Sequence, residues 1–229
     1  MQTQILRVKR VAPSILSSDF AHLGEQVAEV LDAGARVIHC DVMDGHFVPP
    51  ITLGPAVVGS LADQVHGAGA ILDVHLMIER PERQVQPFAE AGADVITIHR
   101  EATPHVHYAL KAVRETGCLA GLALTPATAA EEIVDAVDEI DLLLCMTVNP
   151  GWGGQEFIEH SIAKLERLRA ILPAGLPLEV DGGIDAGTAP RCAAVGASVF
   201  VAGSAVFDSP QPGEAYLEIA RAIEEVRDE

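Results

Sequence analysis

One junction recurs three times in this chain, and it restricts the possible folds more than any other feature of the sequence. The copies occupy residues 32–37, 90–95 and 194–199, and each has Gly-Ala at its third and fourth positions and valine at its sixth. In each copy a helical pattern ends on a glycine suited to a left-handed C-cap, and an apolar run begins almost at once. The repeated helix-to-strand junction indicates a repeated βα unit.

Short apolar runs alternate with amphipathic segments along the chain. Near-continuous β-branched runs separated by helices are typical of parallel strands buried on both faces. The predicted strands are residues 11–16, 37–42, 71–76, 95–99, 119–124, 142–147, 178–180 and 199–202. The predicted helices include residues 20–31, 81–91, 107–116, 129–137, 161–172, 186–195 and 216–226.

Eight such units close most simply as an α/β fold of the (β/α)8 TIM-barrel type. An open doubly wound sheet is the alternative, but no Gly-x-Gly-x-x-Gly motif opens the first helix. No linker or composition break divides the chain, so we predict one barrel domain over residues 1–229. The longest irregular stretches, residues 46–54 and 149–159, both follow strands, where the loops of a barrel form the active face.

Charge narrows the range of partners. The formal net charge of −18 argues against a nucleic-acid groove and an anionic membrane surface. An anionic small molecule stays possible because backbone dipoles can bind phosphate in an acidic protein. No apolar run reaches the ~18 residues of a spanning helix, and no signal-peptide pattern opens the sequence, so we expect a cytoplasmic protein. The four cysteines form no C-x-x-C pair and are expected to be buried thiols.

Four polar side chains lie at or near the ends of apolar runs: His39, Asp41, His75 and Asp181. Residues two apart on a strand point to one face, so His39 and Asp41 face the same way. Two imidazoles and two carboxylates suit one divalent ion, Zn²⁺ in first place, with Fe²⁺, Mn²⁺ or Co²⁺ as alternatives. Two carboxylates around a substrate also indicate proton transfer at carbon. A structural ion-pair network is the competing interpretation.

Three further polar residues lie on the same predicted strands. Asp73 is on the face of His75 but deeper in its strand, where it could support a ligand. His99 ends the fourth predicted strand with the geometry of His75, and it either faces the site or is simply buried. Ser14 lies in the first predicted strand, and its hydroxyl either satisfies backbone groups or reaches a substrate.

Glycine-rich turns follow the sixth, seventh and eighth predicted strands, at residues 149–155, 181–184 and 202–204. Glycine lets backbone N–H groups approach an anion, and the last loops of a barrel are its usual phosphate site. Met43, Met77 and Met146 stand at or just beyond strand ends. They are either ordinary core residues or an apolar lining that excludes water from the site.

Five motifs together resemble the ribulose-phosphate 3-epimerase family. They are Val-Ala-Pro-Ser-Ile-Leu at 11–16, His-Cys-Asp-Val-Met-Asp-Gly-His-Phe-Val-Pro at 39–49, His-Leu-Met at 75–77, Val-Asn-Pro-Gly-Trp-Gly-Gly-Gln at 148–155 and Val-Asp-Gly-Gly-Ile at 180–184. The resemblance implies a metal-dependent isomerase on a ribulose-phosphate-binding barrel, acting in pentose phosphate metabolism. Its implied partner is a small sugar phosphate, D-ribulose 5-phosphate or D-xylulose 5-phosphate, and we expect a homo-oligomer.

The resemblance also implies roles for single residues. Asp41 would accept the proton and Asp181 would donate it, with the roles reversed in the other direction. His39, Asp41, His75 and Asp181 would bind the metal. The implied substrate-binding residues are Ser14, His75, Gly151, Trp152, Gly153, Gly154, Asp181, Gly182, Gly183, Gly203 and Ser204.

Two positions depart from the family pattern. Pro50 stands where the family usually has Asn, and Trp152 replaces the Phe of the usual Gly-Phe-Gly-Gly loop. Pro50 stiffens its loop and removes a donor, so these changes bear on loop contacts rather than on reaction class.

Three other functions compete with this one. An allulose 6-phosphate 3-epimerase would carry Gly-Phe-Ala-Gly and Asp-Gly-Ser loops, whereas this chain has Gly153-Gly154 and Gly182-Gly183. A sugar-phosphate decarboxylase of a related barrel would carry lysine where Met43 stands. A non-catalytic phosphate-binding barrel would not need both carboxylates and both imidazoles.

Overall fold

The computed structural model describes residues 2–226, and within them eight parallel strands alternate with helices. The strands are β1 (Arg10–Pro13), β2 (Val37–Met43), β3 (Ile71–Met77), β4 (Val95–His99), β5 (Leu119–Leu124), β6 (Leu142–Met146), β7 (Leu178–Asp181) and β8 (Val199–Ala202). The α-helices are α1 (Gln2–Leu6), α2 (Leu23–Asp32), α3 (Pro55–Gly67), α4 (Val85–Glu90), α5 (Val106–Glu115), α6 (Ser161–Ile171), α7 (Ala189–Ala194), α8 (Ser204–Phe207) and α9 (Pro212–Glu224). Short 3-10 helices cover Ile15–Ser17, Pro81–Arg83 and Ala130–Glu139.

The sheet runs β1-β8-β7-β6-β5-β4-β3-β2, so the first and last strands of this order are neighbours in sequence. Between β1 and β2 the described residues show a single parallel bridge, Ser14 to His39. This bridge brings the sheet to a nearly closed barrel, which confirms the predicted (β/α)8 fold.

The apolar core has two parts separated by the sheet. The outward residues of the strands, such as Ile38 and Leu72, pack against the helices in one large cluster. Inside the barrel, Val37, Ile71 and Val95 form a smaller cluster that Leu6 of α1 completes. This apolar plug fills the amino-terminal end of the barrel, so the polar inward residues farther along each strand lie above it.

Most predicted elements agree with the structure, and four differ. The helix predicted at 81–91 is divided into the 3-10 helix Pro81–Arg83 and α4, Val85–Glu90. The first strand ends at Pro13 instead of residue 16, because the Ser14 hydroxyl accepts from Leu16 N and caps the 3-10 turn Ile15–Ser17. The helix predicted at 129–137 is a 3-10 helix, Ala130–Glu139. The helix Pro55–Gly67 was not among the predicted helices, although proline and glycine at its two ends are typical helix boundaries.

Two predictions from composition can be compared with the structure. All four cysteines are buried and free, which confirms the predicted thiols. Within residues 2–226 no helix has the length and apolar character needed to cross a bilayer.

Candidate active site

The strand ladder brings three of the four predicted polar residues together. In the β2–β3 register, His39 stands opposite Asp73 and Asp41 opposite His75. His39, Asp73 and His75 are fully buried, and Asp41 is 3% exposed. Inward positions alternate with outward ones along each strand, so these side chains share the barrel interior.

Asp181 reaches the same point from the other side of the barrel. It ends β7, and its Oδ2 lies 3.6 Å from His75 Nδ1. Asp41 Oδ1 lies 3.1 Å from the same nitrogen. Both carboxylates therefore approach the same ring nitrogen of His75, Nδ1.

The quartet can hold a metal ion. One ligand atom from each of His39, Asp41, His75 and Asp181 lies within 4.8 Å of the others. His39 Nε2 is buried and has no hydrogen-bond partner in the described part of the chain. A buried polar atom without a partner is costly, and an ion would satisfy this one. Two imidazoles with two carboxylates also suit a borderline divalent ion.

The two carboxylates have opposite proton affinities. Burial alone would raise the pKa of Asp41, but the charges of His39 and His75 and the hydrogen bond with His75 lower it strongly. Burial and the negative charge of Asp41 raise the pKa of Asp181, despite its hydrogen bond with His75. The arrangement makes Asp41 the weaker and Asp181 the stronger proton acceptor of the pair, a difference of the kind that general acid–base chemistry uses.

Asp41 is held from two sides. Ser14 Oγ donates to its Oδ2 at 2.5 Å, so the serine hydroxyl stabilises the ionised carboxylate. Thr52 Oγ1 donates to the Asp41 carbonyl at 2.7 Å and accepts from Met43 N at 2.9 Å. The loop after β2 thus folds back onto its own strand and fixes the backbone at the site.

A cleft of about 520 Å³ opens above the quartet. Asp41 and Asp181 line it, and the fully buried His39 and His75 lie beneath its surface. No lysine or arginine is among the described residues that line it. The other predicted residues in its lining are Ser14, Met43, Met77, Met146, Gly151, Trp152, Gly153, Gly154, Gly182, Gly183, Gly203 and Ser204.

Two glycines of the cleft have no room for a side chain. Gly182 has φ +115°, and a Cβ there would lie 2.3 Å from Val148 Cγ2. Gly183 has φ +65°, and a Cβ there would lie 2.6 Å from the backbone nitrogen of Phe157. The turn after β7 therefore packs against the loop after β6 with bare backbone, which keeps backbone groups accessible to a ligand.

Two carboxylates near the site were not among the predicted residues. Glu179 is fully buried in β7, with Oε1 3.7 Å from His39 Nδ1. Burial and the neighbouring Asp73 raise the pKa of Glu179 well above its usual value, which favours its protonated form. Its position two residues before Asp181 was the available signal, since it places both side chains on one face. Glu101, after β4, accepts from His99 Nδ1 at 3.3 Å.

Comparison with known proteins decides the family. A model of the ribulose-phosphate 3-epimerase family matches residues 10–207. The chain is 46% identical over 222 residues to ribulose-phosphate 3-epimerase of Escherichia coli (strain K12), covering 96% of this chain and 95% of that protein. It is 45% identical over 214 residues to the Bacillus subtilis (strain 168) enzyme of the same name, covering 92% and 97%.

The chain belongs to the ribulose-phosphate 3-epimerase family. Membership of this family makes it an isomerase of the epimerase type. These relatives, and one from Serratia marcescens at 47% identity, are named ribulose-phosphate 3-epimerase, so the allulose 6-phosphate alternative is not favoured.

Solved structures of low identity support the barrel fold of this ribulose-phosphate 3-epimerase family member. A crystal structure of KGPDC from Streptococcus mutans aligns with TM-score 0.75 at 17% identity, covering 96% of this chain and 100% of that one. A crystal structure of 3-hexulose-6-phosphate synthase aligns with TM-score 0.71 at 21% identity, covering 94% and 99%. At these identities the likeness concerns the fold alone.

Proposed function

We propose that this chain interconverts D-ribulose 5-phosphate and D-xylulose 5-phosphate by inverting C3 through an enediolate. One observation carries the proposal: Asp41 and Asp181 both approach His75 Nδ1, with their pKa values displaced in opposite directions. A single base would tend to return the proton to its original face. Two carboxylates, one ionised and one protonated, can remove it on one face and deliver it on the other.

Asp41 is the proposed acceptor of the C3 proton, and Asp181 the proposed donor to the opposite face. The Ser14 hydroxyl supports the ionised form of Asp41. After one turnover Asp41 carries the proton and Asp181 is ionised, which is the arrangement that the reverse reaction requires. Each direction therefore resets the site for the other without an outside proton source.

His39, Asp41, His75 and Asp181 are the proposed metal ligands, with Zn²⁺ favoured and Fe²⁺, Mn²⁺ or Co²⁺ as alternatives. Such an ion would stabilise the negative charge that develops on the C2 and C3 oxygens. It would also lower the pKa of both carboxylates. The difference between the two pKa values therefore matters more for the mechanism than either value alone.

The cleft offers a place for the rest of the substrate. With no basic side chain in its described lining, a phosphate there would be held by backbone N–H groups near Gly182, Gly183, Gly203 and Ser204. The loop at Gly151–Gly154 would cover it, with Trp152 as an apolar lid. Met43, Met77 and Met146 would keep water from the reacting carbon. Ser14 and His75 would contact the sugar near C3.

A single domain over residues 1–229, a cytoplasmic location, a homo-oligomeric assembly and a place in pentose phosphate metabolism belong to the same proposal. They rest on the resemblance to the family and on the proposed substrate.

Exchange of the C3 hydrogen with solvent deuterium tests the proposal directly. We expect exchange and inversion with ribulose 5-phosphate at a rate well above that with allulose 6-phosphate. Faster exchange of the six-carbon sugar would overturn the substrate assignment, and exchange with neither sugar would overturn the reaction. Nuclear magnetic resonance of the recovered sugars reports position and configuration together.

A further inference from the structure

A chain of side-chain contacts leads away from His75 on the side opposite the two aspartates. His75 Nε2 lies 2.8 Å from His99 Nε2. His99 Nδ1 lies 3.3 Å from Glu101 Oε2. Both imidazoles are fully buried, and Glu101 stands at the edge of the barrel with its side chain 25% exposed.

The number of protons fixes the direction of these hydrogen bonds. A ligand nitrogen must be unprotonated, so a His75 ring that binds a metal through Nδ1 carries its proton on Nε2. That N–H points at His99 Nε2, which must therefore accept. A neutral His99 then carries its proton on Nδ1 and donates it to Glu101, which as a carboxylate can only accept.

We infer that His99 and Glu101 are positioning residues that hold the His75 ring in the tautomer with Nδ1 free for the metal. This inference rests on the metal site proposed above. Neither residue belongs to the ligand quartet, and neither lines the cleft, so both would act through His75 alone.

We call the contacts from His75 through His99 to Glu101 the relay. Its outer end, Glu101, is itself fixed in place. Thr125 N donates to Glu101 Oε1 at 2.9 Å, and the Thr128 hydroxyl donates to the same oxygen. The largely buried Lys164 donates to the Thr125 carbonyl at 2.6 Å and holds that loop against α6. Together with His99 Nδ1, Thr125 N and the Thr128 hydroxyl give Glu101 three hydrogen-bond donors, which is more than an exposed ion pair requires.

The two ligand imidazoles receive support at opposite nitrogens. His39 donates from Nδ1 to Asp73 at 2.7 Å, which leaves Nε2 for the metal. His75 presents Nδ1 to the metal, and its support comes at Nε2 through a second ring. A carboxylate ends each set of contacts. Asp73 contacts His39 directly, whereas Glu101 acts on His75 through the ring of His99.

Glu101→Gln is the sharpest probe of this relay. Thr125 N still requires an oxygen, so the new amide turns its NH₂ group toward His99 Nδ1. That nitrogen would then have to accept, and the proton would move to Nε2, where it meets the N–H of His75. Zn²⁺ affinity should fall about 10- to 100-fold, the usual cost of losing a hydrogen-bonded support of a metal ligand.

Glu132→Gln is the matched control. It removes one carboxylate from the neighbouring ion pair with Arg100 without touching His99. Competition with a chromophoric chelator gives the Zn²⁺ dissociation constants of all variants, and circular dichroism reports folding. We expect Glu132→Gln to bind Zn²⁺ as the wild type does.

Two replacements of His99 separate hydrogen bonding from packing. His99→Phe keeps an aromatic ring against Phe47, whose centroid lies 4.9 Å from that of His99, but leaves the His75 N–H without an acceptor. His99→Gln supplies an amide oxygen for His75 and an amide N–H for Glu101. We expect the glutamine variant to recover much of the Zn²⁺ affinity that the phenylalanine variant loses.

A spectroscopic measurement on the Zn²⁺-loaded wild type completes the test. Nitrogen-15 imidazole spectra should show His99 protonated on Nδ1 only. A proton on Nε2, or unchanged Zn²⁺ affinity in both Glu101→Gln and His99→Phe, would overturn the relay while leaving the epimerase proposal intact. A wild type that epimerises but binds no divalent ion would overturn the metal site and the relay together. Loss of C3 exchange in a protein with normal Zn²⁺ binding and a normal His99 tautomer would count against the proposed function alone.

Discussion

His39 Nδ1 lies 2.7 Å from Asp73 Oδ2, and both side chains are fully buried at the centre of the barrel. The contact fixes the plane of the imidazole and its tautomer, so Nε2 faces Asp41, 3.3 Å away. Asp73 is thereby the support of one proposed metal ligand, in agreement with its predicted depth in β3.

Replacement of Asp73 should weaken metal binding more than folding. Asp73→Asn can turn its NH₂ group toward His39 Nδ1 and favour the tautomer that blocks Nε2. We expect about a 10- to 100-fold loss of Zn²⁺ affinity in chelator competition. Asp63→Asn, at an exposed position of α3, is the control and should match the wild type. Equal affinities in the two variants would contradict the role of Asp73.

Replacement of either cleft carboxylate should stop epimerisation with the barrel still folded. General acid–base groups contribute about 10²- to 10⁴-fold, so Asp41→Asn and Asp181→Asn should each lose at least that much kcat. The two variants should differ in isotope exchange from ribulose 5-phosphate. Asp181→Asn retains the acceptor Asp41 and should exchange C3 hydrogen without inversion, whereas Asp41→Asn should do neither. Wild-type turnover in either variant would refute the two-carboxylate scheme.

Removal of the metal should lower activity and thermal stability together, because an ion that binds only the folded chain stabilises it. Prolonged chelation should abolish epimerisation, and added Zn²⁺, Mn²⁺, Co²⁺ or Fe²⁺ should each restore part of it. The ion that gives the largest rise in melting temperature identifies the preferred one. Full activity in a protein shown by elemental analysis to hold no metal would refute the requirement.

Gly183→Ala tests the bare-backbone turn. The Cβ would lie 2.6 Å from Phe157 N, and φ is +65°, so overpacking adds about 1–3 kcal/mol to the cost of a left-handed alanine. We expect a raised KM for the sugar phosphate and a lowered melting temperature. Gly175→Ala is the control, because its φ is +80° with nothing within 4 Å of the added Cβ. Gly175→Ala should lower the melting temperature only by the cost of its backbone strain, and its KM should be normal.

Glu101 should make stability depend on pH in acid. Burial alone would raise its pKa, but hydrogen bonds from His99, Thr128 and Thr125 lower it to about 2, from 4.5. Between these values the unfolded chain binds more protons, so the stabilisation is complete above about pH 4.5 and is lost as the pH falls through 2. The difference in unfolding free energy between wild type and Glu101→Gln should therefore shrink over this range in urea titrations. A difference that stayed constant down to pH 2 would contradict the low pKa.

The sequence predicts which residues belong to the candidate site better than it predicts the contacts around them, and the reason is physical. Alternation along a strand tells which residues share a face, so spacing predicts that His39 and Asp41 face the same way. The positions of His75 and Asp181 at strand ends predict that they lie near them. Alternation does not tell which residues meet across the barrel, because that depends on strand tilt and closure. Barrel closure determines the contact between His75 and His99, which the sequence analysis left open. It also determines the distance between Glu179 and His39, and the sequence analysis did not identify Glu179.

Local side-chain chemistry also changed an element boundary. The apolar pattern continues past Pro13, yet the Ser14 hydroxyl caps a turn there and ends β1. The apolar pattern predicts that Ser14 lies within the strand, although serine is a preferred cap. The same hydroxyl donates to Asp41, so one side chain both ends strand β1 and stabilises a carboxylate of the site.

The bridge between Ser14 and His39 is the seam of the barrel, and both of its residues belong to the proposed catalytic machinery. Among the described residues this seam has fewer backbone pairs than any other pair of neighbouring strands, and local opening is favoured where backbone pairing is sparse. Separation of β1 from β2 at this bridge would displace a proposed metal ligand, His39, together with Ser14, the hydroxyl donor to Asp41. We therefore expect heating to inactivate the enzyme at a lower temperature than the one at which most of its strands separate.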